Sequence, residues 1–404
     1  MKSKTFDCRL AILFLAWVIA GCQNAIERRE DVRPLVLRDV PAQRLAYHFE
    51  PDTGLPSDVT PEDTNDKLAV IQTAFNTHRR ENALLRTVAS PDGQRVLALY
   101  GTADEPNEAF RIDLYASDGK FLRNLTPPVL SCVFPETVAW SPDGNFITFI
   151  AHQSAKPSPS PTPLDEIEPA LPSGSPGPVA MPSVAPAFAP VPVFVTEQIY
   201  ICNRDGYELK PLTSREGLIY FSLSWAPDNH ALSALACKED EWNAREKAFK
   251  LPAGRPRLIT PDGNERLLDD QSTESLPVWS PDSSKVAAAF DTDIGIFDAA
   301  TNKPTQARIP LRDVLITASQ AWEEKNQAAR KKPANLDSKT ENKSTPEPQA
   351  QIPASFNPIV RLEWPTPEKL YIQTAYVRLM HSETINTFPR WHLVVLSPQA
   401  AILK

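Results

Sequence analysis

The side chains that could do chemistry are thinly spread. Six histidines, His48, His78, His152, His230, His381 and His392, are scattered with no neighbour at a metal-ligand or triad spacing. Cys132, Cys202 and Cys237 form no C-x-x-C pair. Cys202 and Cys237 fall in apolar strands and are expected to be buried small residues rather than a disulfide. Asp291-Thr292-Asp293-Ile294-Gly295 begins like a calcium loop but lacks a third acid at spacing and a terminal Glu, so a plain hairpin is expected. Glu239-Asp240-Glu241-Trp242 reads as a solvated, acidic and aromatic loop start. The sequence has no G-x-S-x-G elbow, phosphate loop or H-E-x-x-H. The expectation is a chain without catalytic residues, metal or cofactor, and not an enzyme. An all-β chain can still assemble a site from distant residues.

What the chain does repeat is a turn. Trp140-Ser141-Pro142-Asp143-Gly144 recurs as Trp225-Ala226-Pro227-Asp228-Asn229 and Trp279-Ser280-Pro281-Asp282-Ser283. Ala89-Ser90-Pro91-Asp92-Gly93 lacks the Trp, and Trp364-Pro365-Thr366-Pro367 lacks the Asp. Pro pre-sets φ, Asp accepts backbone amides, and Gly takes a left-handed position, so each copy is a tight turn between strands. Trp140, Trp225, Trp279 and Trp364 are expected to pack between repeats rather than form ligand platforms. Asp143, Asp228 and Asp282 are expected to bond backbone rather than serve as acids or bases.

Apolar runs around these turns give an all-β chain of four-strand meanders, the unit of a propeller blade. Five are traced from Leu84 onward, the fifth as Arg361 to Trp364, Leu370 to Val377, Trp391 to Leu396 and Ala400 to Leu403. The strands near Pro34–Leu37 and Arg44–Phe49 either close the ring or belong to a sixth blade. Successive turns lie 51, 85, 54 and 85 residues apart. The shorter intervals match the roughly 40–50-residue blade period, and the longer ones hold insertions. Residues 156–192 are dense in Pro, Ser and Ala, and residues 323–358 are charged and polar; both compositions favour disorder. A short helix fits Ala321 to Lys331. Thr60-Pro61-Glu62-Asp63 has the form of a helix start, predicting a helix from Pro61 to His78, with a strand as the rival. Elaborations after second and fourth strands, Lys238–Gly254 among them, fall on one propeller face, opposite the repeated turns.

The N-terminus is a targeting segment. Lys2, Lys4 and Arg9 precede an apolar run from Leu10 to Ala20 that ends at Ile19-Ala20-Gly21-Cys22. This resembles the lipobox of bacterial lipoproteins, which implies cleavage before Cys22 and lipid attachment to it. Gln23, where an Asp would retain the protein at the inner membrane, implies an outer-membrane anchor facing the periplasm. The expected division is a signal at 1–21, a lipidated tether with a strand/helix segment at 22–83, and a propeller at 84–404. A formal net charge of -8 argues against a nucleic-acid partner.

The graded W-S-P-D-G turns, each followed by an apolar strand and a D-G turn, resemble the WD40-like repeats of TolB-type β-propellers over Leu84 to Lys404. The resemblance implies an envelope propeller. It does not carry over the Tol–Pal role, since a lipid anchor replaces the domain that precedes the TolB propeller. The expected function is a lipid-anchored, non-catalytic module that binds a protein or an envelope polymer. The alternative is a glycan- or peptide-active envelope enzyme, which needs acids or histidines clustered at the channel mouth. Prolyl-oligopeptidase-type peptidases carry similar propellers ahead of a hydrolase domain, for which no room is expected after Lys404.

Overall fold

In a computed structural model of the chain, the described residues are 36–54, 68–78, 83–101, 109–154, 191–331, 358–380 and 383–397. They form five antiparallel sheets, the blades of a propeller. Blade one is β2 (Ala83–Ala89), β3 (Arg95–Gly101), β4 (Arg111–Ala116) and β5 (Phe121–Asn124). Blade two splits its inner strand into β6 (Leu130–Val133) and β7 (Ala139–Trp140), followed by β8 (Phe146–Gln153), β9 (Gln198–Asn203) and β10 (Lys210–Pro211). Blade three is β11 (Leu218–Trp225), β12 (Leu232–Lys238), β13 (Arg255–Ile259) and β14 (Glu265–Leu267). Blade four is β15 (Val278–Trp279), β16 (Lys285–Phe290), β17 (Asp293–Asp298) and β18 (Gln306–Pro310).

Blade five takes its outer strand from the N-terminal side. Its first three strands are β19 (Ile359–Thr366), β20 (Lys369–Met380) and β21 (Glu383–Ser397), and β1 (Ala46–Glu50) pairs outside them, so the strand read at Arg44–Phe49 completes the last blade rather than a sixth; Ala400–Leu403, expected there, lies outside the described residues. β1 pairs antiparallel with β21, from Ala46 opposite Ser397 to Glu50 opposite Leu393. The first and last described strands thus share one sheet. Leu37 lies in a short 3-10 turn rather than a strand.

This N-terminal segment is clamped along its length. Arg38 Nη2 donates to Asp282 O at 2.8 Å. The Ala42 N–H donates to Asp298 Oδ2 at 3.2 Å, and the fully buried Lys285 Nζ donates to Asp298 Oδ1 at 2.9 Å. Beyond β1, Arg390 grips Asp52 with two bonds of 2.6 and 2.7 Å, and the Asp52 N–H donates to His392 Nδ1 at 3.1 Å.

The repeated turns behave as their residues dictate. Ser90 N–H donates to Arg95 O, and Gly93 N–H to Ser90 O, both at 2.9 Å. Asp92 Oδ1 accepts from the Ser90 hydroxyl and the Gln94 N–H; Asp143 and Asp282 repeat the pattern. Asp228 accepts the His230 N–H. The fourth turn residue is left-handed in each: Gly93 at φ 67°, Gly144 at 69°, Asn229 at 67° and Ser283 at 60°. Where Gly has been replaced, the side chain ties neighbouring turns together. Asn229 Oδ1 accepts the Asp143 N–H, and Ser283 Oγ accepts the Asp228 N–H, each at 3.0 Å.

The tryptophans join blades. Trp140 Nε1 donates to Val88 O of blade one, Trp225 Nε1 to Thr148 Oγ1 of blade two, and Trp279 Nε1 to Ser224 O of blade three, each at 3.1 Å. Trp364 instead closes its own turn, donating to Pro367 O at 3.2 Å. Apolar cores fill the interfaces: Leu97, Ile112, Cys132 and Phe149 between blades one and two, and Ile150, Ile199, Tyr220 and Leu232 between two and three. Leu258, Val286 and Phe297 join three to four, and Ile294, Ile296, Leu370 and Val394 join four to five. Among the described residues no such core joins blade five to blade one. The free side of blade one is covered by helix α1 (Ala69–His78), through Ile71 and through Phe75 stacked on Tyr100 at 5.7 Å. The predicted helix is therefore present, and its expected start at Thr60–Pro61 lies outside the described residues.

The other face carries two helices. α2 (Glu239–Lys247) stands where a loop was expected, with Glu239-Asp240-Glu241 as its first turn. α3 (Arg312–Lys331) begins well before the Ala321 predicted for it. The rest of both predicted insertions, 156–190 and 332–357, lies outside the described residues. Asp291-Thr292 is a plain two-residue turn between β16 and β17.

Candidate functional site

On the decorated face one histidine meets one carboxylate. β8 pairs with β9 with Ala151 opposite Gln198, which sets His152 across from Glu197 at the strand ends. His152 Nδ1 stands 3.5 Å from Glu197 Oε1, and the side chains are 28% and 21% exposed. The two are at ion-pair distance but not in line for a hydrogen bond, and Nδ1 is buried without a partner. Blade three holds Glu197 by its backbone, since the Tyr220 N–H donates to Glu197 O at 3.1 Å. The pair thus lies on the edge between blades two and three.

Irregular strands shape this edge. The inner strand of blade two breaks at Phe134, a left-handed residue at φ 60°. The inner strand of blade three shifts register between Tyr220 and Ser222, the signature of a bulge, which re-aims Phe221. Similar shifts occur between Leu84 and Arg86 and between Ile359 and Arg361. Trp242 of α2 rests on Phe134 and Phe221, with ring centroids 5.7 and 5.4 Å away. Arg255 grips Glu241 with bonds of 2.7 and 2.8 Å, and Glu241 Oε2 also accepts the Lys238 N–H. The Arg255 guanidinium is the main reason the Glu241 carboxyl is held down to about 2. The acidic, aromatic turn read from sequence as solvated surface is therefore the clamp that seats α2.

A histidine facing a carboxylate on a half-open edge is the arrangement used to pass protons to and from a bound group, and such contacts are often long before substrate arrives. The nearby cysteine is no rival nucleophile. Burial pushes the Cys237 thiol up to about 12, and Cys132 and Cys202 likewise, and all three are free and buried. Among the described residues no group of three or more His, Cys, Asp or Glu side chains is gathered as a metal site would require.

The repeat residues Trp140, Asp143, Trp225, Asp228, Trp279, Asp282 and Trp364 lie at the turns of the opposite face and contribute nothing to this edge. Cys22 lies outside the described residues. His152 and Glu197 escaped the sequence reading because the proline-rich insertion separates them. Only the antiparallel register that sets Phe146–Ile150 against Ile199–Asn203 brings them face to face; a slip of one residue puts Thr196 opposite His152 instead.

No family model and no curated protein matches the chain. Among solved structures, an oligogalacturonate lyase in complex with manganese is similar at 11% identity and a TM-score of 0.35, over 78% of this chain and 65% of the lyase. A prolyl endopeptidase is similar at 10% identity and a TM-score of 0.35, over 77% of this chain and 36% of that one. A dipeptidyl aminopeptidase IV-type protein from Bacteroides ovatus is similar at 14% identity and a TM-score of 0.30, over 54% of this chain and 29% of that one. The chain thus spans less than two thirds of each. All three are named as enzymes, so the expectation that this chain is not one finds no support in them. Likeness at this level transfers no activity, substrate or residue.

Proposed function

We propose that the chain is a lipid-anchored, TolB-like propeller of the cell envelope that acts on an envelope glycan or peptide, with His152 and Glu197 as its acid–base pair. The observation that carries the reading is their meeting on the decorated edge between blades two and three, 3.5 Å apart and about a quarter exposed. In this reading His152 moves the proton and Glu197 orients the ring and stabilises its charged form. The anchor at Cys22 holds the propeller at the outer membrane, facing the periplasm, and the acidic balance argues against nucleic acid as the partner.

The test is to incubate the purified chain with isolated envelope glycan and peptide fractions and follow new chain ends by mass spectrometry. New ends that disappear in His152→Gln and Glu197→Gln support the reading. No new ends with either fraction, or ends unaffected by both substitutions, overturn it. The anchor has its own test: a fatty-acid analogue must label the wild-type chain and not Cys22→Ala.

A further inference from the structure

α2 ends in a feature its sequence does not favour. Ala248 caps the helix, the Phe249 N–H donates to Glu246 O, and the Lys250 N–H donates to Arg245 O, each bond 3.0 Å long. This pair of bonds is a Schellman ending, whose residue beyond the cap is left-handed and usually Gly, because a Cβ is strained there. Here it is Phe249, at φ 53°. Its side chain is 100% exposed, and Leu251, two residues on, is 69% exposed. A bulky residue held in that conformation with its ring in water is an outlier that points to a role outside the fold.

The knuckle is held rigid from behind. Arg245 Nε donates to Leu251 O at 2.5 Å, and its Nη2 pairs with Glu274 of the next loop. Glu241–Arg255 and the Trp242 stack fix the other end of α2. Gly254 brings the chain back tightly against β12, where a Cβ would meet Ala236 N at 2.8 Å. Exposed Lys247 and Lys250 flank Phe249 in sequence, with exposed Glu246 next to Lys247, while Glu274 is matched by Arg245. The tip is therefore apolar and locally cationic on a chain whose net charge is -8.

We infer that the Phe249–Leu251 knuckle docks the propeller onto an anionic lipid surface. Two apolar side chains at a rigid tip enter the acyl boundary, and flanking ammonium groups meet the phosphates. The N-terminal segment is latched to blade four from the opposite face, at Asp282 O and Asp298 Oδ2, so the knuckle is a contact separate from any anchor at Cys22. The inference takes only the membrane location from the proposed function and is independent of any catalysis.

The test places an environment-sensitive fluorophore at Phe249→Cys in the full lipidated chain, on vesicles of phosphatidylethanolamine and phosphatidylglycerol. The expected result is a blue-shifted emission quenched by spin-labelled lipid, while a label at Tyr207→Cys on the opposite face stays aqueous. Lys247→Glu with Lys250→Glu, or vesicles of phosphatidylcholine alone, should weaken the quenching roughly tenfold or more. The same label in a Cys22→Ala chain separates the two readings. Quenching there without lipid modification keeps the knuckle and removes the anchor. A label that stays aqueous in both chains, or is shielded without lipid quenching as in a protein pocket, overturns the inference.

Discussion

Lowering the pH from neutrality should loosen the chain where its N-terminal strand is latched, and His392 sets the window. Its imidazole is 1% exposed, with Nδ1 accepting the Asp52 N–H and Nε2 2.9 Å from Thr374 Oγ1. Burial first, and the Arg390 charge second, pull its pKa from 6.5 down to about 4, against a smaller upward pull from Asp52. The unfolded chain therefore takes up this proton before the folded chain does. The stability contributed by the neutral ring is fully present above about pH 6.5 and is lost as pH falls towards 4. At about 1.4 kcal/mol per unit of pKa, the loss is on the order of 3 kcal/mol. Protonation also removes the Nδ1 acceptor, so Asp52 loses one of its two holds on β21. The assay is urea unfolding of wild type and His392→Gln at half-unit steps from pH 7 to 4.5. Wild type should lead at pH 7, and the gap should close across the acid range. A gap independent of pH refutes the reasoning.

Other perturbations test the fold and the knuckle. Trp225→Phe removes a bond across blades two and three and leaves the buried Thr148 hydroxyl without that donor, which should cost about 1–2 kcal/mol in urea unfolding. Asp298→Asn strips the buried Lys285 of its counter-charge and weakens the hold on Ala42, so a loss of about 3–5 kcal/mol is expected by the same measurement. Phe249→Gly should do the reverse and stabilise by about 1 kcal/mol, read as a higher thermal midpoint, because Gly relieves the left-handed strain.

Much of the ring was legible because its signals are local. Trp, Pro, Asp and Gly at fixed offsets fix a turn whatever lies far away, so the phase of the blades, the inter-blade role of three tryptophans and the backbone role of the aspartates could be read residue by residue. Trp364 departs from its siblings because, without the Asp, its indole bonds within its own turn. What could not be read depends on distant pairing. Nothing in Ala46–Glu50 marks it as the partner of Leu393–Ser397, and β composition alone fits a sixth blade as well. Asn229 and Ser283 look like decay of the Gly position, yet each ties two turns together. Lys238–Gly254 looked like a loop because its helix is short and polar on nearly every face; it is stabilised by Glu241–Arg255 and the Trp242 stack rather than by an apolar stripe. His152 and Glu197 carry no motif between them, since strand register across an insertion, not spacing, brings them together.

The most direct test of the account is the rate of polymer cleavage by wild type, His152→Gln and Asp92→Asn on one envelope fraction. Asp92 sits in a repeated turn on the opposite face and holds only its own turn and Arg204. The account predicts that His152→Gln loses about a hundredfold or more in kcat/KM, the usual weight of a general acid or base, while Asp92→Asn keeps the wild-type rate. Equal rates for His152→Gln and wild type would contradict it.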